Sequence, residues 1–198
     1  MTASERNLRI LLVAAVVMVG LGLWAFVLRG ADGPEDPRLT VPAASERVED
    51  LPPPGNPDRV PIEGGFSEIA IAVEPEAGGD FLTWCLLAAR DHAQRARGLM
   101  GVTDLQGYSG MAFMYDDDVQ NPFHMLNTVM PLSIAWLDAA GDVVTISDME
   151  PCEAEPCPSY PPEGPYRLAI EVPKGELPTL GITEGSRVTV LGACAPTG

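Results

Sequence analysis

Residues 95–138 carry RARGLMG (95–101), GMAFMY (110–115), FHMLNT (123–128) and MPLSIAWLD (130–138), four short motifs within 44 residues. Five of the eight methionines lie here (Met100, Met111, Met114, Met125 and Met130), with His124 and the polar side chains of Arg97, Asn127 and Thr128. Runs such as 110–115 and 133–137 are too short for buried helices and read as strands, the second one entered through Pro131. DAAGD (138–142) supplies a hairpin turn into a further strand at 143–149.

Working outward, 67–73 (SEIAIAV) alternates, 83–89 (TWCLLAA) is a buried strand candidate, and 166–172 and 187–191 complete the set. Residues 91–98 read as a short helix or turn, and 177–185 as a short segment broken by Pro178 and two glycines. Many short strands with little helix predict a mainly β, single compact antiparallel domain of barrel or sandwich type, at about 66–198.

The N-terminal third has a different character. Residues 10–28 (ILLVAAVVMVGLGLWAFVL) form an uncharged apolar run of 19, long enough as a helix to cross the roughly 30 Å hydrocarbon layer. Arg6 and Arg9 precede it and one arginine, Arg29, follows, which places residues 1–9 in the cytoplasm and the remainder outside. A cleaved signal peptide would have a shorter apolar region and a small-x-small exit, whereas this run exits through Leu28-Arg29-Gly30. The expectation is a retained single-pass anchor in the cytoplasmic membrane of a bacterial cell. Residues 29–65 hold eight prolines and many acidic residues, the composition of an extended tether.

A net charge of −16 and a pI near 4.3 set the protein against nucleic-acid phosphates. The four cysteines can pair in three ways. Cys152–Cys157, closing a short Pro-rich loop, and Cys85–Cys194, tying an early strand to the last, are the expected pairs outside the cytoplasm.

Taken together, Arg97-Gly98-Leu99-Met100, Gly110-Met111-Ala112-Phe113, 123–128, Pro131-Leu132-Ser133-Ile134, Gly141-Asp142-Val143-Val144, Ile170-Glu171-Val172 and Gly181-Ile182 make the chain resemble the DUF192 (UPF0127) family over roughly 83–191. The resemblance implies a compact, mostly β domain and no particular mechanism. Three positions depart from that family's usual pattern: His124 stands where tryptophan is usual, Leu126 where lysine is, and Ser133 where aspartate is. A site built on that lysine–aspartate pair is therefore not expected here.

Three constellations carry possible chemistry. Arg97, Asn127, Thr128 and Glu171 combine cationic, amide, hydroxyl and carboxylate groups suited to a small polar ligand, with Met125 beside them. The alternative is structural: an Arg97–Glu171 ion pair, with Asn127 and Thr128 tying a turn. Met100, Met111, Met114 and Met125 with His124 are the soft ligands of a Cu(I)-handling site, or they are gap-filling core. Acid–base catalysis would fall to His124 or Glu171, since no nucleophile elbow or phosphate-cradling loop is present. The expected role is binding, to a small polar ligand or an envelope protein, without catalysis, cofactor or resident metal.

Overall fold

A computed structural model describes residues 48, 51, 53, 54 and 56–197. The proposed anchor at 10–28 and most of the tether lie outside the described residues. Among the described residues no helix is long and apolar enough to cross a membrane.

Among the described residues, nine strands and one short helix follow in chain order. They are β1 Ser67–Glu74, β2 Leu82–Ala89, α1 His92–Arg97, β3 Met111–Val119, β4 Phe123–His124, β5 Leu132–Leu137, β6 Val143–Met149, β7 Ser159–Tyr160, β8 Tyr166–Pro173 and β9 Arg187–Gly192. Seven strands form one sheet in the order β6-β5-β8-β3-β2-β1-β9, and β4 with β7 make a small second one. The fold is mainly β and sandwich-like, as the short alternating runs predict. The sheet does not close into a barrel, although Asp142 and Arg187 form a single bridge between the β5–β6 turn and β9.

One pairing departs from the expected antiparallel pattern: β2 and β3 run parallel, with Leu87 beside Met111 and Ala89 beside Phe113. A parallel pair cannot be joined by a tight turn. Residues 90–110 make the crossover, and they contain α1 and the RGLMG motif. Asp91 caps α1, its carboxylate accepting from Gln94 N at 2.8 Å while Gln94 Oε1 accepts from Asp91 N at 3.2 Å, a reciprocal capping box. Gly98 ends it with φ +49°, a conformation that favours glycine.

Apolar side chains pack on both faces of the sheet. One cluster holds Leu87, Met111, Phe113, Met125, Ile134 and Trp136 under the crossover and the 123–128 segment. The other holds Ile69, Ile71, Leu86, Ala135, Leu137 and Ile170, covered by Leu177, Leu180 and Ile182. Because both faces are buried, β5 has no exposed residue, which is why, apart from Ser133, it reads as an apolar run rather than an alternating one.

The packed body begins before residue 66. The side chain of Arg59 is fully shielded, with Nη1 donating to Asn56 O at 2.8 Å and Nη2 to Ala195 O at 2.7 Å. Ala195 N in turn donates to Pro54 O at 3.0 Å. The end of the tether is therefore stitched to the C-terminal segment. Both expected disulfides form, Cys85–Cys194 and Cys152–Cys157.

Candidate functional site

The crossover, the 123–128 segment and β8 converge on one pocket of about 110 Å³. Its lining includes Arg95, Arg97, Gly98, Met100, Phe113, Tyr115, Phe123, His124, Thr128 and Glu171. Two of the motifs that stand apart in the sequence are tied together here, since Gly101 N donates to Asn127 O at 2.9 Å. Asn127 sits at φ +59°, and its own N–H donates to Cys152 O at 2.8 Å. The Cys152–Cys157 loop thus braces the strand segment that ends in Thr128.

Glu171 is the chemically distinctive group. It lies on β8 opposite Met111 of β3 and Ile134 of β5, so its side chain shares their face of the sheet. Its neighbours Ile170 and Val172 point into the other cluster, as strand alternation demands. Only 4% of Glu171 is exposed. Among the described residues no side-chain hydrogen bond or ion pair reaches its carboxyl, and burial pushes its pKa up to about 8. At neutral pH it is an uncharged acid, able to donate through its O–H. The indole of Trp136, on the same face and diagonal to Glu171 across the β5–β8 ladder, also keeps Nε1 buried with no acceptor among the described residues. Buried polar groups are nearly always paired, and Trp136 Nε1, unpaired among the described residues, shares the sheet face of Glu171.

The cations line the same pocket in different ways. Arg95 is committed: its Nη1 donates to Met114 O at 3.0 Å and to Arg90 O, and its guanidinium lies 4.6 Å from the Tyr115 ring centroid. Arg97 is exposed and, among the described residues, makes no ion pair or side-chain hydrogen bond. The structural ion pair weighed for Arg97 with Glu171 is therefore not formed. His124 is also exposed at the rim, its Nδ1 accepting from Leu126 N at 3.4 Å.

Of the five ligand-binding candidates, Arg97, Thr128 and Glu171 line the pocket together. Met125 is 1% exposed and belongs to the core beneath it. Asn127 is exposed and serves the backbone turn. Missed in the sequence were Phe113, Tyr115 and Phe123, which shape the wall; Phe123 meets Phe113 and Trp136 edge-on at 5.0 and 5.9 Å. Their aromatic character within the GMAFMY and FHMLNT motifs was the available signal.

The methionines do not make one metal site. Met111 and Met125 are core residues on one face of the sheet, while Met114 packs against the cluster on the other. Glu68, Cys85 and Cys194 bring three potential ligand atoms within 4.8 Å of one another, but a disulfide sulfur is not a thiolate ligand. Ser133 lies on the face away from the pocket, where its hydroxyl donates to Asp148 Oδ1 at 2.6 Å and accepts from Gly175 N at 2.9 Å.

Comparison with known proteins places this geometry. A solved protein of unknown function from Novosphingobium aromaticivorans DSM 12444 is 27% identical, with a TM-score of 0.57, and the alignment covers 74% of this chain and 98% of that one. A Sinorhizobium meliloti 1021 protein, described as a candidate transcription regulator, shares the fold at 22% identity and a TM-score of 0.56, over 65% of this chain and 98% of that one. No functionally curated protein matches the chain. The DUF192 family model, described as "Uncharacterized ACR", matches residues 73–190, more than half of the sequence, and the chain belongs to that family.

Proposed function

We propose that this protein is a membrane-anchored binding module. Residues 10–28 hold it in the cytoplasmic membrane, the domain stands outside, and a small polar ligand occupies the pocket floored by Glu171. The observation that carries the reading is a pocket lined by the buried acid Glu171 and the exposed Arg97, neither with a side-chain partner among the described residues. A buried carboxyl group without a protein partner is costly, and a ligand that accepts its hydrogen bond would offset that cost. Two disulfides fit an extracytoplasmic location. A pocket of this kind needs no nucleophile, and the role is binding or accessory.

Native mass spectrometry of the full chain, extracted in detergent from its own host, tests this. A retained small molecule, lost in Glu171→Leu with the disulfides and fold intact, is expected. A bare mass in both forms would overturn it. Labelling intact cells with a membrane-impermeant reagent tests the topology: tags at Lys174 from outside are expected, and protection of Lys174 until lysis would reverse the orientation.

A second reading follows from His124 and Glu171 lining the same pocket. An imidazole and a neutral carboxylic acid together are an acid–base pair, which would make the domain an enzyme. A turnover on any substrate abolished by Glu171→Gln would favour it over binding alone.

A further inference from the structure

A second recess, of about 300 Å³, lies next to the first. Arg97 and Met100 line both. Its other wall is Val60, Pro61, Ile62 and Glu63, facing Val102 and Asp104. Residues 60–63 precede the family-matched segment 73–190, so this wall is supplied by the tether. It is held firmly. Val60 N donates to Gln106 O at 3.1 Å, and the preceding residue is the buried Arg59 with its ion pair to Glu68. Val60 is nevertheless 53% exposed, the most exposed large hydrophobic side chain among the described residues. A fixed backbone presenting an apolar side chain to an adjoining recess is what a bound apolar group would cover.

The charge of the first pocket points to the other end of the ligand. Arg95 and Arg97 line it, and its one carboxyl, that of Glu171, is held toward the neutral form by burial. A cationic recess on a protein of net charge −16 selects an anionic group. Its size admits only a few heavy atoms, whereas the second recess is larger and partly apolar. Glu63 and Asp104, which also line it, disfavour a second negative charge there.

Resting on the binding reading above, we propose that the ligand is an unbranched aliphatic monocarboxylate, its carboxylate between Arg97 and Glu171 and its chain lying over Met100 against Val60 and Ile62. The guanidinium supplies charge-assisted hydrogen bonds to the head group, the Glu171 O–H supplies one more, and the tether supplies chain-length selectivity.

Isothermal titration of the full chain in lipid nanodiscs, with empty nanodiscs subtracted, tests this using acetate, butyrate, hexanoate and hexanol as probes. Affinity should rise about fourfold for each methylene that enters the second recess. Hexanol should bind at least about tenfold more weakly than hexanoate, the loss expected for one charge-assisted contact. Val60→Ser with Ile62→Ser should flatten the chain-length series, with thermal unfolding confirming an intact fold. Arg97→Gln should weaken all the acids. Hexanol binding as tightly as hexanoate would overturn the anionic head group. A flat series in the unaltered protein would overturn the tether subsite and leave acid binding in the first pocket standing. No binding of any acid, while a Glu171-dependent molecule is still retained from the host, would overturn the ligand class and spare the binding reading.

Discussion

Arg59 and Glu68 meet at 3.1 Å with the guanidinium fully shielded and the carboxylate about one-third exposed. Tyr108 completes the group, its hydroxyl donating to Glu68 Oε1 at 2.5 Å and its ring lying 5.7 Å from the guanidinium carbon. Burial alone would raise the pKa of Glu68, but the hydrogen bonds from Tyr108 and Arg59 outweigh it and the net shift is downward. A depressed carboxyl contributes stability that is present above its unfolded pKa and lost as pH falls through the folded value. Arg59→Met should cost about 3 kcal/mol by stranding the carboxylate. It should also remove this acid sensitivity, both measured by urea unfolding at neutral pH and near pH 4.

Glu171 acts with the opposite sign. Its folded pKa is raised from 4.5 to about 8, so both states are protonated at low pH. The unfolded chain releases its proton first as pH rises. Stability should therefore fall between about pH 4.5 and 8, by an amount on the order of 4 kcal/mol for an unliganded protein. Glu171→Gln should flatten that decline. Denaturation midpoints at pH 5 and pH 8 for both forms would show it, and parallel declines would refute it.

The two disulfides should differ in weight. Cys85–Cys194 closes a separation of 109 residues and Cys152–Cys157 one of 5. In the chain-entropy picture, losing the first costs about 4–5 kcal/mol and losing the second about 2. Paired Cys→Ser variants, compared by denaturant midpoint, should separate in that order.

Gly141 sits at φ +85°, and a Cβ there would come within 2.0 Å of Val188 O. Its carbonyl accepts from Val188 N at 2.9 Å, which with the Asp142–Arg187 pairing joins the β5–β6 turn to β9. Gly141→Ala combines left-handed strain with a backbone clash, and should lower stability by about 2–3 kcal/mol. Faster amide exchange at Val188 is the local signature to look for.

The strands were legible wherever their length and apolar content were distinctive. Residues 67–73, 83–89, 143–149 and 187–191 fall within or along β1, β2, β6 and β9. The parallel register of β2 and β3 was not legible, because hydrophobic pattern reports a buried face and not a direction. Nor were β4 and β7, each two residues long, below any period that can be counted. Within the site, Glu171 stood out as a charge inside an apolar strand, and Arg97 and Thr128 by their motif company. Met125 and Asn127 do not line the pocket, for a common reason. Residues two apart at an irregular turn need not share an environment, and Asn127, at φ +59°, is exposed while Met125 is buried.

The parallel pairing of β2 with β3 forces a long connection to travel across the sheet, and that connection carries Arg95, Arg97 and Met100 over Glu171. Scaffold and selectivity are thereby separable. Swapping residues in this bridging segment would retune what the domain holds, because the ladder on either side owes its alignment to other strands.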